Sequence, residues 1–290
     1  MGAIGAVTRL IAPLIQGKSI DPAVLVLDPK GDFVIPLLGG HSSGADQRAL
    51  ELAAKIGGTA VITGACSHEQ RIPLDCFGEG WGWRRSGTVE AWRQLMKDQA
   101  NQKVLQIRQT SGQQHWLRTA TQPRVDLVET GHCDLSIGPK QHSGCSWHPP
   151  TLWIGVGCER NTSKSLIHRA ISQSINEAGF VIEAVAGLAT ADRKADEPAL
   201  LGICHDYAWP LRTYTAEQLA VIPVPTPSQA VYEEMGTASV AEAAALLTAG
   251  KSGTLRQGKR IHHANQSEQG AVTIAIAETA VPMAPHRGEL

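Results

Sequence analysis

The sequence predicts an α/β protein of several layered strand–helix domains, with a complete α/β domain towards the C-terminal end, and three stretches carry that reading. Between 151 and 278, apolar runs of strand length alternate with amphipathic segments of helical period, the pattern of helices layered on a sheet. Within it, Leu152-Trp153-Ile154-Gly155-Val156-Gly157-Cys158-Glu159-Arg160-Asn161-Thr162-Ser163 is an apolar run, two spaced glycines and a polar turn, followed by a long amphipathic segment. That is a strand, a turn and a helix, with Thr162 or Ser163 placed to cap the helix. Nearer the start, Gly39-Gly40-His41-Ser42-Ser43-Gly44 joins another apolar run to another amphipathic segment.

Taken in order, residues 1–65 read as helix, strand, strand, helix, strand. The runs 23–27 and 33–38 flank Asp28-Pro29-Lys30-Gly31-Asp32, a turn by composition. The helix after Gly44 puts Ala45, Ala49, Leu52, Ala53 and Ile56 on one face, Gly57-Gly58 ends it, and 59–63 reads as a strand. Further on, Thr88 can cap a helix running through Gln99, and 104–110 and 125–129 look like strands. His132, Cys133, His142, Cys145 and His148 include a His-x2-Cys-x2-His spacing that can serve a soft divalent metal. No Cys-x-x-Cys knuckle accompanies it, so the segment is read as a linker and no metal is assigned. From 151 the expected order is strand 152–156, helix 163–178, strand 181–189, helix 197–208, strand 211–214, helices 228–235 and 239–249, then strands 254–257 and 271–277. The expected divisions are a partial N-terminal α/β domain at 1–67, a middle region and linker at 68–150, the C-terminal α/β domain at 151–278, and a disordered tail at 279–290.

Composition narrows the function classes. The 290 residues are 42% hydrophobic, enough for real cores, and the net charge is −1. Lys and Arg are scattered, which excludes the basic stripe of a nucleic-acid surface. The longest apolar stretch, 3–15, is broken by Arg9 and Pro13 and is too short to span a bilayer. With no secretion signal, the six cysteines read as free thiols of a reducing compartment. A soluble, cytoplasmic protein is expected.

The candidate chemistry lies in the two glycine turns. Gly155 and Gly157 can admit a ligand close to the backbone, a helix start favours an anion, and Arg160 adds a fork of donors. The alternative is a turn whose glycines only satisfy backbone geometry. His41, held among glycines, can act as acid, base or donor, or can be a solvent-exposed turn residue. Glu197, just before Pro198, is either a capping carboxylate or a base, and Lys194 lies three residues earlier, where it can pair with it. Cys158 near Arg160 has a nucleophile's neighbours, but no histidine–acid pair is spaced around it, so it reads as a small buried residue.

Several ordered motifs add a resemblance. Arg9-Leu10-Ile11-Ala12-Pro13-Leu14, Lys18 with Asp21-Pro22-Ala23-Val24, and Leu37-Leu38-Gly39-Gly40-His41 with Val61-Ile62-Thr63 stand in the first third. Gly155 to Arg160 with Thr162-Ser163, Lys194-Ala195-Asp196-Glu197-Pro198-Ala199-Leu200-Leu201, Thr215-Ala216-Glu217-Gln218-Leu219, Val224-Pro225-Thr226-Pro227-Ser228 and Met235-Gly236-Thr237-Ala238-Ser239-Val240-Ala241-Glu242 follow. These resemble the cobalt-precorrin-5A hydrolases of anaerobic cobalamin (vitamin B12) biosynthesis. Two departures are Ser43-Gly44-Ala45-Asp46, where the family usually has Gly-Gly-Ala-Asn, and Asn161 in place of a usual glycine. The family's N-terminal domain also starts with a further stretch, hence the partial domain expected here.

The resemblance implies opening of the ring A δ-lactone of cobalt-precorrin-5A, with release of acetaldehyde to give cobalt-precorrin-5B. Such a substrate carries many carboxylates around a flat apolar macrocycle, so a broad apolar cleft rimmed by donors is expected. His41, Glu197 and Lys194 are the catalytic candidates. Gly39, Gly40, Gly44, Gly155, Gly157, Arg160, Thr162 and Ser163 are the substrate-binding ones. Cobalt arrives inside the substrate and no cofactor is expected. The alternatives are a non-catalytic binding protein for the corrinoid intermediate, like a related single-domain protein of the aerobic pathway, or a pathway scaffold paired with a precorrin methyltransferase.

Overall fold

The computed structural model describes residues 2–17, 21–40, 44–62, 74–114, 125–229, 233 and 237–280. They fall into two compact units. The first comprises Met1–Gly82, Val89–Gln106 and Gln114–Asp126; the second comprises Trp83–Thr88, Ile107–Gln113 and Leu127–Leu290.

In the first unit, helix α1 (Ile4–Ile11) precedes an antiparallel hairpin of β1 (Val24–Leu27) and β2 (Phe33–Leu38). The turn between them is closed by Asp28, whose carboxylate accepts from the Phe33 amide at 2.7 Å and the Lys30 amide at 3.1 Å. The Phe33 amide is the main reason that carboxyl is held below its ordinary range. Helix α2 (Ala45–Ile56) lies between left-handed glycines, Gly44 at φ 70° and Gly57 at φ 73°, a conformation that costs glycine little. It packs Ala49 and Ala53 on Val34. Strand β3 (Thr59–Ala60) joins β2 in parallel, and helix α3 (Val89–Ala100) buries Trp92 and Leu95. Among the described residues up to 62, the helix, strand, strand, helix, strand order expected for 1–65 is present; residues 63–73 lie outside the described ones.

The second unit contains β4 (Arg84–Ser86), the end of β5 (Leu105–Gln109), β7 (Leu135–Ile137) and β8 (Cys145–His148), while β6 (Val125–Leu127) spans the division. Strand β8 pairs antiparallel with β4 and parallel with β7, and β7 pairs parallel with residues 107–109. The segment expected to be a linker therefore supplies two strands, because Leu135, Ile137, Cys145 and Trp147 are buried in a core. Their strands are too short for alternation to announce them.

The C-terminal domain follows as β9 (Leu152–Cys158), α4 (Lys164–Glu177), β10 (Val185–Ala191), α5 (Pro198–Tyr207), β11 (Leu211–Tyr214), α6 (Ala216–Ala220), α7 (Val240–Ala249), β12 (Thr254–His263) and β13 (Ala271–Glu278). Its sheet runs β11-β10-β9-β13-β12. Strands β9, β10 and β11 are parallel, β13 runs against β9, and β12 runs against β13. One face, built on Leu152, Ile154, Val156, Leu188, Ile274 and Ile276, packs against Ile167, Ile171 and Ile175 of α4 and Leu200 and Ile203 of α5. Each such side chain stabilises by about 1.5–3 kcal/mol when fully buried.

The opposite face is made mostly of small residues, with Trp153 the exception. Ala189 and Ala191 pack on Val240, Ala243 and Ala244, while Trp153 and Ala277 pack on Ala245 and Ala249. A Cβ added at Gly155 would stand 1.8 Å from the Ala241 carbonyl oxygen, so the α7 backbone lies directly on β9.

Three expectations shift. The strand placed at 181–189 starts at Val185 and runs to Ala191, after a 3₁₀ turn at Ile182–Ala184. Strand β12 extends to His263 rather than ending at 257, and register shifts around Gln257 break the alternation that would have revealed it. Most of the helix expected at 228–235 lies outside the described residues. No helix among the described residues is long and apolar enough to cross a membrane.

Candidate functional site

Strands β9, β10 and β11 follow one another towards one edge of the sheet, with α4 and α5 on the same face. The chain then crosses to the other face with α7 and returns on the far side of β9 as β12 and β13. Such a reversal opens a crevice at the carboxyl ends of the parallel strands, the usual ligand position in open α/β sheets.

A cleft of about 690 Å³ occupies that place, lined by Gly157 and Cys158 at the end of β9, Glu159 just beyond it, Ala191 at the end of β10, the start of α7 (239–241), and residues of β12 and β13. That size suits a small-molecule ligand. Arg160, Arg193, Lys194 and Lys259 bring positive charge to the lining, against Glu159, while Ala191, Val240, Ile261 and Ala271 are its apolar part. The start of α7 adds the positive end of a helix dipole. Ser239 caps that helix, its Oγ accepting from the Glu242 amide at 3.4 Å. The cleft can therefore hold an extended apolar ligand that carries several carboxylates.

The expected residues divide. Gly157 and Lys194 line the cleft, and no ion pair holds the Lys194 ammonium among the described residues. Arg160 also lines it, but its guanidinium already donates to Asp196 Oδ1 at 2.6 Å and to the Arg193 carbonyl at 2.5 Å. Glu197 sits behind the lining, 1% exposed, with Oε1 accepting from the Asn161 amide at 2.9 Å and Oε2 3.7 Å from Arg160. It makes no side-chain cap on α5. Instead it braces a turn in which Asn161 adopts φ 60°, a conformation Asn tolerates better than most residues.

Neither Thr162 nor Ser163 caps α4 through its side chain. Thr162 is buried and donates to the Glu159 carbonyl at 2.9 Å, and Ser163 Oγ accepts from the Gln269 amide at 2.7 Å. The β12–β13 turn has taken the hydroxyl expected to face the ligand. Gly155 likewise serves close packing under α7 rather than ligand approach. In the first unit, the opening amides of α2, on Ala45 and Asp46, donate to the Gly39 and Gly40 carbonyls at 3.0 Å each. Gly44 is the left-handed residue that starts α2. His41 lies outside the described residues.

Cys158 is pushed up to about 11 by burial, which outweighs the opposing pull of Lys194. It is a thiol at neutral pH, without the thiolate a nucleophile needs. In the His132–His148 stretch, buried His148 bonds Ser86 Oγ through Nε2 and the Gly138 carbonyl through Nδ1, both at 2.7 Å. Both ring nitrogens are thus committed. Among the described residues no three His, Cys, Asp or Glu side chains converge as a metal-binding group.

Arg193, Ser239, Lys259 and Ile261 were not singled out as site residues from the sequence. Two signals mark three of them and none marks Arg193: Ser239-Val240-Ala241-Glu242 spells a capping box, and Gly258 beside Lys259 and Ile261 marks a bulge.

Fold and cleft together define a class: an α/β protein whose C-terminal domain carries a partly apolar, cation-rimmed cleft at the switch point of its sheet. Residues 152–277 match the family model described as Cobalamin synthesis G C-terminus, and residues 1–67 match the one described as Cobalamin synthesis G N-terminal. The chain is 33% identical to the cobalt-precorrin-5A hydrolase of Priestia megaterium, over 95% of this chain and 76% of that one. It is 26% identical to the cobalt-precorrin-5A hydrolase of Salmonella typhimurium, over 96% and 81%. Among solved structures, that of CobE, a protein from the cobalamin biosynthetic pathway, is 28% identical over 44% of this chain and 92% of that one, with a TM-score of 0.39. The chain belongs to the cobalamin synthesis G family.

Proposed function

We propose that this chain is a cobalt-precorrin-5A hydrolase of cobalamin biosynthesis and that the C-terminal cleft holds the corrinoid substrate. The observation that carries the reading is the cleft's composition, an apolar lining with Arg160, Arg193, Lys194, Lys259 and a helix start around it. A macrocycle bearing carboxylates at its edge needs that combination. The 33% identity to a protein of that name over 95% of the chain supports the activity.

In the proposed reaction, water adds to the lactone carbonyl and the ester C–O bond breaks. The freed alkoxide becomes the carbonyl of acetaldehyde as its carbon–carbon bond to the macrocycle breaks, and the electron pair passes to the macrocycle. A base must take a proton from water, and a donor must balance charge on the released oxygen. Lys194 suits the donor, since it lines the cleft. His41 is proposed as the base on its Gly-Gly-His motif. Glu197 is proposed to hold the Asn161 turn rather than to meet the substrate. Cobalt is part of the substrate, and the cations of the cleft meet carboxylates rather than metal. The compartment is proposed to be the cytoplasm, with a precorrin methyltransferase of the pathway as the partner a scaffold role would need.

The test is anaerobic incubation of the protein with cobalt-precorrin-5A and assay of free acetaldehyde. Release above the uncatalysed rate, cut roughly 10²-fold in His41→Ala, is expected. Tight corrinoid binding with no acetaldehyde would instead favour the non-catalytic binding role.

A further inference from the structure

Glu242 is fully buried in the first turn of α7, and every bond its carboxylate makes is accepted. Oε1 accepts from Thr226 Oγ1 at 2.6 Å and from the Lys259 amide at 2.9 Å, and Oε2 accepts from the Thr226 amide at 3.4 Å. The three segments that meet there form one wall of the cleft. Thr226 leads to Ser228, whose amide is tied to the Ala238 carbonyl at 2.8 Å. Ser239 caps the same helix turn, and Lys259 belongs to the irregular part of β12, where the register shifts between Gln257 and Arg260. Ser228, Ser239 and Lys259 all line the cleft. Gly258 lets the strand come this close, since a Cβ there would stand 3.2 Å from Glu242 Oε1.

A buried carboxylate with three donors costs little once formed, but withdrawing it strands donors from separate segments. We propose that Glu242 is the positioning residue of the cleft: it fixes the bulge of β12 so that the Lys259 ammonium is held at the ligand's edge. It touches no ligand itself and acts through Lys259. This rests on the reading of the cleft as the corrinoid site.

The experiment is a four-member cycle of wild type, Glu242→Gln, Lys259→Met and the double variant, titrated with cobalt-precorrin-5A by visible absorbance and unfolded thermally alongside. Glutamine keeps the shape but turns a donor towards the Thr226 amide. Each single variant is expected to bind roughly fivefold or more weakly, and the double to be no more than roughly twofold weaker than the poorer single. That coupling is what a merely structural role would not produce. Fully additive losses, or a Glu242→Gln protein that melts earlier yet binds as wild type, overturn the proposal. If Glu242→Gln does not fold, Thr226→Val decides: Thr226 is exposed, and its loss of affinity should vanish in the Lys259→Met background. An unchanged affinity, or an additive one, overturns the assignment. Failure of the wild-type protein to bind the corrinoid sinks the substrate reading itself, and this inference with it.

Discussion

Gly155 and Gly157 stand on the same face of β9 but answer to different demands. At Gly155 a methyl would enter the Ala241 carbonyl at 1.8 Å, whereas at Gly157 its nearest neighbour would be Val240 Cβ at 3.6 Å, an ordinary contact. Gly155→Ala should therefore destabilise the protein by about 1–3 kcal/mol or more, as overpacking does. Gly157→Ala should keep its melting temperature and lose ligand affinity, because its methyl enters the cleft. Thermal unfolding and corrinoid titration of both variants check this. The cysteines give a pH dependence. Burial pushes the Cys145, Cys158 and Cys204 thiols up to about 11 from an ordinary 9.0. Above pH 9 the unfolded chain loses these protons before the folded one does. The stabilisation is thus complete below about pH 9 and is lost as pH rises towards 11. Denaturant midpoints between pH 7 and 11 should fall over that upper range, and less steeply in Cys158→Ser.

At the scale of elements, the sequence points to the carboxyl end of β9, which lines the cleft, and to the start of α4, which does not. The spaced glycines before α4 resemble an anion-binding turn, and the apolar run before them makes β9 legible. The α4 hydroxyls are instead spent on the β12–β13 turn, and α7 presents its start to the cleft. Nothing local to residues 152–163 reports that distant turn. The capping-box spelling at Ser239 was a fair signal, though only half the box forms, because Glu242 turns to Thr226 and Lys259. Ser239→Ala should cost about 0.5–2 kcal/mol of stability and weaken the corrinoid, since the same residue fixes the helix start that lines the cleft. Lys164→Ala, at the start of α4, should leave affinity unchanged. Equal losses of affinity in both would contradict the assignment of helices.

For the whole molecule, alternation of strands and helices was enough to read the α/β class and the C-terminal domain, because long buried runs such as 152–156 and helices with one apolar face carry clear periods. The strands at 135–137 and 145–148 were not legible, being three or four residues of mixed character whose burial depends on partners far along the chain. Arg160 was legible as a site cation but not its commitment to Asp196, which is 36 residues away. The core on α4 and α5 draws wholly on residues between 152 and 276. A fragment of 151–280 should therefore unfold cooperatively on its own. It should melt below the full chain, because it loses the backbone bonds that the Val181 amide donates to the Pro139 carbonyl and the Gln141 amide donates to the Gly179 carbonyl. A non-cooperative melt would refute an independent core.

One titration tests most directly whether the cleft is the place where the corrinoid is held. The combined variant Arg193→Ala, Lys194→Ala, Lys259→Met removes three cations of the lining. None of these three side chains belongs to the buried core. At somewhat over 1 kcal/mol for each charge-assisted contact, affinity for cobalt-precorrin-5A should fall by about 10²-fold or more, with thermal unfolding near wild type. Affinity within roughly twofold of wild type, on a protein that still releases acetaldehyde, would place the substrate elsewhere and contradict the account.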